Sequence, residues 1–247
     1  MGQTGKWKIL NALDLKIMAM VLMFCDHLWA TLLPSQQWLT NVGRLAFPIF
    51  AFQVVEGYFH THDFKTYLKR MFLFALLSEI PFNLMTAGGL MNPFHQNVMF
   101  TFCLGLLLIR MIEKLQKKST PVFFLGTVGV AVLGYILGTI LFLDYYGCGI
   151  LMILVFYFFR NIPHGWVGIL AAMILINGEV MGGLTYPVTV FGHSFDFYQQ
   201  SFAVLALIPI GLYNGRQGPH NKWIQYGCYA FYPVHMLLLA LVWLALV

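Results

Sequence analysis

Charged side chains are scarce in this sequence of 247 residues, where Asp, Glu, Lys and Arg together make up 9%. A soluble globular domain carries about 25% charged residues, so this proportion is too small to cover a water-facing surface. Hydrophobic residues, in contrast, make up 60% of the chain. The composition therefore excludes an ordinary soluble protein and predicts an integral membrane protein.

Cysteine is also sparse, and its placement excludes two kinds of site. The four cysteines all lie in apolar segments, and no two of them form a CxxC pair: Cys25, Cys103, Cys148 and Cys228. A disulfide framework or a structural zinc site needs closely spaced cysteines. We therefore predict neither, and we expect no metal ion in the protein.

Long apolar segments fill almost the whole chain. A membrane-spanning helix needs about 20 apolar residues, and nine segments qualify approximately: 12–33, 38–60, 67–84, 96–114, 121–142, 146–160, 163–181, 197–214 and 224–247. Short loops join them, which leaves no room for a soluble domain. The sequence predicts one all-α transmembrane domain over 1–247, a bundle of nine helices. Segment 182–191 is ambiguous, because it could be a re-entrant piece that makes a tenth element.

The basic residues predict the orientation of the bundle. Thirteen of the 14 lie on one side of it: Lys6, Lys8, Lys16, Lys65, Lys69, Arg70, Arg110, Lys114, Lys117, Lys118, Arg160, Arg216 and Lys222. The loops 34–37, 85–95, 143–145 and 182–196 contain no Lys or Arg. Lys and Arg collect on cytoplasmic loops. We therefore expect a cytoplasmic N-terminus, and this topology accounts for the net charge of +5 without a nucleic-acid partner.

Arg44 is the fourteenth basic residue, and it lies inside the second predicted span. A charge within the bilayer is costly and almost always faces a partner or a water-filled cavity. We expect Arg44 to form an ion pair with Asp26 or Glu79.

Other polar residues fall at a similar depth, towards the outer side of several predicted spans. Asp26 and His27 adjoin in the first span, and the rest are Glu79, Asn83, His95, Gln96, Asn97, Glu179, His193, Asp196, Gln199, Gln200 and His235. They predict a polar cavity near the outer face, in which a histidine could act as a general base. Structural roles are the plainer alternative, with Asp26 as a counter-ion and His27 as a core histidine.

A second polar set lies on the predicted cytoplasmic side. Lys69 and Arg70 adjoin the start of the third span, and Arg216 lies in the loop before the ninth. Positive charge near a helix N-terminus suits a phosphate group. The alternative is that these residues only anchor the helices at the cytoplasmic surface.

Six segments together resemble the TraX family: LDLKIMAMVLMFCDH (13–27), GRLAFPIFAFQVVEGYFHT (43–61), YLKRMFLFALLSEIPFN (67–83), QNVMFTFCLGLLLI (96–109), LYNGRQG (212–218) and FYPVHMLLL (231–239). The resemblance extends over nearly the whole chain, although 119–195 matches weakly. It implies a bacterial inner-membrane protein linked to acetylation of a pilin N-terminus. It also implies a relation to transmembrane acyltransferases, in which an intramembrane histidine with an acidic partner is catalytic. Here those roles fall on His27 and Asp26.

Two function hypotheses follow from these residues and the resemblance. The first is an acyltransferase that moves an acetyl group from cytoplasmic acetyl-CoA to an acceptor amine or hydroxyl, on a pilin-like N-terminus or an envelope glycan. Lys69, Arg70 and Arg216 would bind the CoA phosphates. Substrate contacts and oxyanion stabilisation would fall on Arg44, Glu79, Asn83, His95, Gln96, Asn97 and His235. The second is a proton-coupled small-solute transporter in contact with membrane lipid, but carriers commonly show internal repeats and we find none.

Overall fold

The computed structural model describes residues 7–246. Two positions used in the sequence predictions, Lys6 on the cytoplasmic side and residue 247 at the end of the ninth span, lie outside them. The described residues are mostly helical: α1 (Ala12–Thr31), α2 (Gln37–Gly43), α3 (Ala46–His60), α4 (Phe64–Ala87), α5 (Val98–Leu115), α6 (Thr120–Ile140), α7 (Tyr146–Phe159), α8 (Gly165–Leu175), α9 (Leu207–Gly211) and α10 (Lys222–Leu246).

Three helical segments of the described chain are long and apolar enough to cross a membrane: Gln37–His60, Thr120–Ile140 and Lys222–Leu246. The others are shorter or carry more charge. Helix α5, for example, includes Arg110, Glu113 and Lys114 within its 18 residues. The membrane character of the chain is therefore clear, whereas the number of nine spans stays a prediction.

Side-chain hydrogen bonds cap the N-terminal ends of α1 and α5, two of the helices that carry predicted polar residues. Asn11 Oδ1 accepts hydrogen bonds from the backbone N–H groups of Leu13 and Asp14, at 2.9 and 3.1 Å. Asp14 in turn accepts from the Asn11 N–H at 2.9 Å, which completes a capping box at the start of α1. Asn97 caps α5 in the same way through the N–H of Met99, at 3.1 Å.

The second predicted span is broken near its start, which is its predicted outer end. Helix α2 ends at Gly43 and α3 begins at Ala46, with Arg44 and Leu45 between them. Pro48 lies in the first turn of α3 and has no N–H. It therefore cannot bond to the carbonyl of residue 44, which would be its partner in a continuous helix. The break places the Arg44 side chain beside α1.

The all-α prediction is wrong at one place, because 185–198 form a β-hairpin. Strands β1 (Thr185–Val190) and β2 (His193–Tyr198) pair antiparallel, with Pro187 opposite Asp196. Phe191 and Gly192 at the turn both have positive φ, 51° and 82°, as a two-residue hairpin turn requires. The segment left open as re-entrant, 182–191, is thus mostly the first strand, since its β-branched residues favour extended backbone.

The neighbouring predicted spans also deviate from regular α-helix. Helix α8 continues into a π-helical turn over Ile176–Val180, and Gln199–Ala206 is a 3₁₀-helix that leads into α9. Helix α10 packs against α4 and α1, and α1 packs against α2 and α3. This arrangement brings the polar residues of α1, α2 and α10 together.

Candidate functional site

Asp26 of α1 and Arg44 at the end of α2 form an ion pair through Oδ1 and Nη2. The hydroxyl of Thr40 donates to the same carboxylate oxygen at 2.7 Å. Gly43 makes this approach possible, because a Cβ at that position would lie 2.7 Å from Asp26 Oδ1 and 2.9 Å from its Cγ. The ion pair confirms the expectation that Arg44 is neutralised by an acid.

The Arg44 guanidinium also connects α2 with the irregular segments. Its Nη1 lies 3.4 Å from Gln200 Oε1, and the Gln200 amide donates to Asn177 Oδ1 at 3.1 Å. Asn177 is fully buried in the π-helical turn and donates to the carbonyl of Met173 at 2.8 Å. The sequence analysis did not assign a role to Asn177, because a single amide near a span end carries no recognisable motif.

His27 pairs with His235 of α10 rather than with its sequence neighbour Asp26. His27 Nδ1 lies 2.7 Å from His235 Nε2. The two ring planes are within 5° of each other and the ring centroids are 5.0 Å apart. Since the nitrogens are much closer than the centroids, the rings meet edge to edge and the hydrogen bond lies in both planes. His235 is 4% exposed, whereas His27 is half-buried.

A cavity of about 400 Å³ lies between α1, α3, α4, α10 and the loop before α10. Its lining includes charged or titratable residues of the predicted cytoplasmic side, namely Lys16, Glu56, His60, Arg70 and His220. Its lining extends along the helices to Met23 and Tyr232. Met23 lies four residues before His27, and Tyr232 lies three residues before His235, so each is one helical turn from the histidine pair.

Arg70 is the one of the three predicted phosphate-binding residues that lines this cavity. Its Nε is buried without a hydrogen-bond partner, and its guanidinium lies over the Tyr67 and Tyr229 rings, 5.9 and 5.5 Å from their centroids. Lys69 and Arg216 are exposed and do not line the cavity. Lys16, which was not predicted as a phosphate-binding residue, also lines the cavity.

A second, smaller cavity of about 220 Å³ is lined by Arg44, Thr40 and Gln200, with Trp29, Gln199 and 182–184. Asp26 and His27 line neither this cavity nor the larger one. The single polar cavity predicted from the sequence is therefore not one space in the structure. Arg44 lines the smaller cavity, and the histidine pair lies one helical turn from residues that line the larger one.

Glu79, Asn83 and Asn97 form a compact structural cluster between α4 and the start of α5. Glu79 Oε2 accepts from the Asn97 side-chain amide at 2.5 Å and from its backbone N–H at 3.3 Å. Asn97 also donates to the Ala75 carbonyl at 2.9 Å, and Asn83 donates to Glu79 Oε1 at 3.4 Å. These contacts tie α4 to α5 and use the polar atoms that an oxyanion would need.

His95 and Gln96 lie in the loop before α5. His95 Nε2 is 3.4 Å from Asp144 Oδ1, and this hydrogen bond raises the pKa of the histidine against the opposing effect of burial. The Gln96 amide donates to the carbonyls of Asn92 and Pro93 at 3.3 and 3.2 Å. Asp144 was missed in the sequence because it follows an apolar span as a single loop residue.

In the part of the chain that the structure describes, no group of three or more His, Cys, Asp and Glu side chains is placed to hold a metal ion. The histidine pair instead offers imidazole nitrogens one helical turn from Met23 and Tyr232, which line the larger cavity. The structure also places a cation, Arg44, at the second cavity.

Comparisons with known proteins agree with the family resemblance found in the sequence. A family model described as TraX protein matches residues 12–243. A curated relative, the "Probable fimbrial assembly protein FimC, serogroup H1" of Dichelobacter nodosus, is 26% identical over 252 residues, which cover 93% of this chain and 94% of the relative. No solved structure matches the chain significantly.

Proposed function

The chain belongs to the TraX family, and from that premise we propose that it is an integral membrane acyltransferase. It would move an acetyl group from cytoplasmic acetyl-CoA to an amine or hydroxyl acceptor at the outer face. The proposed location is the bacterial inner membrane, with the N-terminus in the cytoplasm. The distribution of Lys and Arg supports this orientation.

The cavity of about 400 Å³ is the observation that carries the proposal. Its lining includes the cationic groups of Lys16 and Arg70, and most of the rest is apolar or aromatic. The one carboxylate among the described residues of the lining, Glu56, is paired with Arg160. This pattern fits an anionic head group at the mouth and a narrow arm inside. Arg70 is especially suited, because its buried Nε has no partner among the described residues and a phosphate oxygen would supply one.

His27 is the proposed general base. It would take the proton of the acceptor amine or hydroxyl as the acceptor attacks the acetyl carbonyl carbon. The bond between carbonyl carbon and sulfur then breaks, and the CoA thiolate leaves. Imidazole suits this step because it can take up and release a proton near neutral pH. Arg44 lines the smaller cavity and is paired with Asp26, so the proposal gives it no part in this step.

The relative's name points to the first acceptor to test. That protein is called a fimbrial assembly protein, so we propose a pilin-like N-terminal amine as the acceptor, with an envelope glycan hydroxyl as the second choice. Both are nucleophiles only after loss of a proton, which is the task assigned to His27.

The alternative, a proton-coupled small-solute transporter, has less support from the geometry. The hydrogen-bond chain runs from His27 through His235 and ends on the backbone carbonyl of Phe231, 2.6 Å from His235 Nδ1. A carbonyl accepts a hydrogen bond but does not take up a proton and pass it on. The pair is therefore better arranged to hold a proton than to conduct one.

The test uses the purified protein in lipid nanodiscs with radiolabelled acetyl-CoA and a synthetic pilin N-terminal peptide. Labelled peptide and free CoA thiol are the expected products. His27→Ala should lower turnover at saturating acetyl-CoA by about 10²–10⁴-fold, the usual effect of losing a general base. His193→Ala is the matched control, because His193 is exposed on β2, and it should leave turnover unchanged.

A binding measurement separates the donor site from the chemistry. Arg70→Gln should raise the KM for acetyl-CoA and reduce the thermal stabilisation that CoA gives. Lys69→Gln, an adjacent exposed charge outside the cavity, should do neither. Equal effects of the two variants would contradict the cavity as the CoA site. If folded protein neither bound CoA nor consumed acetyl-CoA with amine or hydroxyl acceptors, the acyltransferase proposal would be wrong.

A further inference from the structure

The orientation of the hydrogen bonds around His235 determines which nitrogen of each histidine carries the proton. His235 Nδ1 lies 2.6 Å from the carbonyl oxygen of Phe231, one helical turn earlier in α10. A carbonyl oxygen can only accept, so the hydrogen must be on His235 Nδ1. In a neutral imidazole the other nitrogen, Nε2, then carries a lone pair and is an acceptor.

The His235 ring is held in this orientation by its neighbours. Its centroid lies 4.5 Å from that of Phe231, with ring planes 16° apart, and Phe24 contacts it edge-on at 6.2 Å. Among residues 7–246, no carboxylate is bonded to either His27 or His235, since Asp26 is engaged by Arg44 and Thr40. A permanently charged imidazolium at this buried site would lack a counter-ion, which favours the neutral form of both rings.

The same reasoning then applies to His27. Its Nδ1 is 2.7 Å from His235 Nε2, which is an acceptor, so the hydrogen of this bond belongs to His27 Nδ1. The free lone pair of His27 is consequently on Nε2. Isolated neutral histidine residues carry their proton mainly on Nε2, so both rings are in the less common form.

We infer that His235 is a positioning residue, which holds His27 in the Nδ1–H form and thereby leaves Nε2 as its basic atom. The catalytic part of this inference rests on the proposed function, because His27 is a base only if the protein transfers acyl groups. When His27 Nε2 takes the acceptor's proton, the bond from its Nδ1–H to the neutral His235 stabilises the imidazolium. Later proton release from Nε2 returns the pair to its starting form.

This role differs from the one that sequence analysis assigned to the acidic neighbour. Asp26 lies beside His27 in the chain, but its carboxylate bonds to Arg44 and Thr40. A residue 208 positions away supplies the partner of His27 instead. The function of orienting the base is thus carried by a neutral imidazole that itself is oriented by a backbone carbonyl.

The tautomers can be measured without any activity. Protein labelled with ¹⁵N-histidine, reconstituted in lipid bilayers, should show His27 and His235 protonated at Nδ1 and unprotonated at Nε2 in solid-state NMR spectra. Comparison with His27→Asn and His235→Phe assigns the signals. In His235→Phe, which keeps a flat aromatic ring, His27 should change to the Nε2–H form. His193→Phe should leave the His27 signals unchanged.

The outcomes distinguish the two claims. Wild-type His27 protonated at Nε2, or a His27 spectrum that does not change in His235→Phe, would overturn the inference about His235 whatever the activity. The predicted tautomers in a protein without acyl transfer would keep the positioning role and reject only the proposed function. If both hold, His235→Phe should lower kcat by about 10²-fold at unchanged KM for acetyl-CoA. His235→Gln, whose amide oxygen can accept from His27, should recover part of that loss.

Discussion

The ion pair between Asp26 and Arg44 offers the sharpest test of the architecture. Asp26 Oδ1 accepts from both Arg44 and Thr40, and the two charged side chains are 19% and 20% exposed. Replacing Arg44 with Gln leaves the carboxylate with only the hydroxyl of Thr40 in hydrogen-bond contact. Replacing Asp26 with Asn leaves the guanidinium with an amide oxygen, the Thr40 carbonyl and Gln200.

The structure therefore predicts unequal effects of the two substitutions. Removing one partner of a buried ion pair costs about 3–5 kcal/mol, and the partial exposure here places Arg44→Gln towards the lower limit of that range. Asp26→Asn should cost about 1.5–3 kcal/mol, the value of a lost hydrogen bond to a charged group. The double variant leaves no unpaired charge. Its free energy of unfolding should be higher than the sum of the two single effects predicts, by about 1–3 kcal/mol.

Reversible unfolding in mixed micelles, followed by the near-ultraviolet signal of the aromatic residues, gives the four stabilities of this cycle. Thr40→Val is a useful companion, because it removes one donor to Asp26 Oδ1 without changing charge. Strictly additive effects of the two charge substitutions would refute the reasoning. So would an Asp26→Asn variant that is less stable than Arg44→Gln.

The structure makes three further predictions. Gly43→Ala should destabilise the protein by about 1–3 kcal/mol in thermal unfolding, because its Cβ would overlap Asp26. Gly129→Ala is the control, because a Cβ there meets nothing within 4 Å, and equal effects of the two substitutions would contradict the close contact at Gly43. Asp144 raises the pKa of His95 above its ordinary value of 6.5. The stability that the His95–Asp144 pair contributes is therefore fully present below pH 6.5 and is lost as the pH rises through the raised pKa. Unfolding at pH 5.5 and 8 should therefore show that Asp144→Asn costs up to about 1 kcal/mol more at the lower pH, and a larger cost at high pH would contradict the assignment. For topology, a membrane-impermeant maleimide should label Gly192→Cys but not Lys117→Cys in cells with intact inner membranes, and the opposite pattern would reverse the predicted orientation.

The helices could be predicted from the sequence because their signal is local. The predicted span 12–33 corresponds to Ala12–Thr31, and 146–160 corresponds to Tyr146–Phe159. Apolar length gives the extent of both helices, and a capping box marks the start of α1, whereas no side chain caps the start of α7. The hairpin was not predicted, because its twelve paired residues look like one loop until the pairing between β1 and β2 is known. The break at Arg44 had a local signal in Pro48 that could have been used.

The site was predictable only as a set of residue types. An arginine within an apolar span has to have a counter-charge, so its partner could be limited to Asp26 or Glu79 before the structure was known. Which acid it would be depends on how α1 contacts α2, and no single sequence contains that information. The same holds for His27 and His235, whose contact requires α1 and α10 to be neighbours.

The sequence analysis assigned the adjacent residues Asp26 and His27 to one catalytic pair, but in the structure they have different partners. Successive residues on a helix point about 100° apart, and here Asp26 faces Arg44, which directly follows α2, while His27 faces His235 of α10. Because their partners belong to different helices, substitutions at the two positions should have separable consequences. Loss of Asp26 acts first on the stability of the contact between α1 and α2. Loss of His27 removes the proposed base, which lies one helical turn from residues that line the large cavity, and leaves that contact in place. A stable but inactive His27→Ala protein and an active but less stable Asp26→Asn protein are therefore the expected pair.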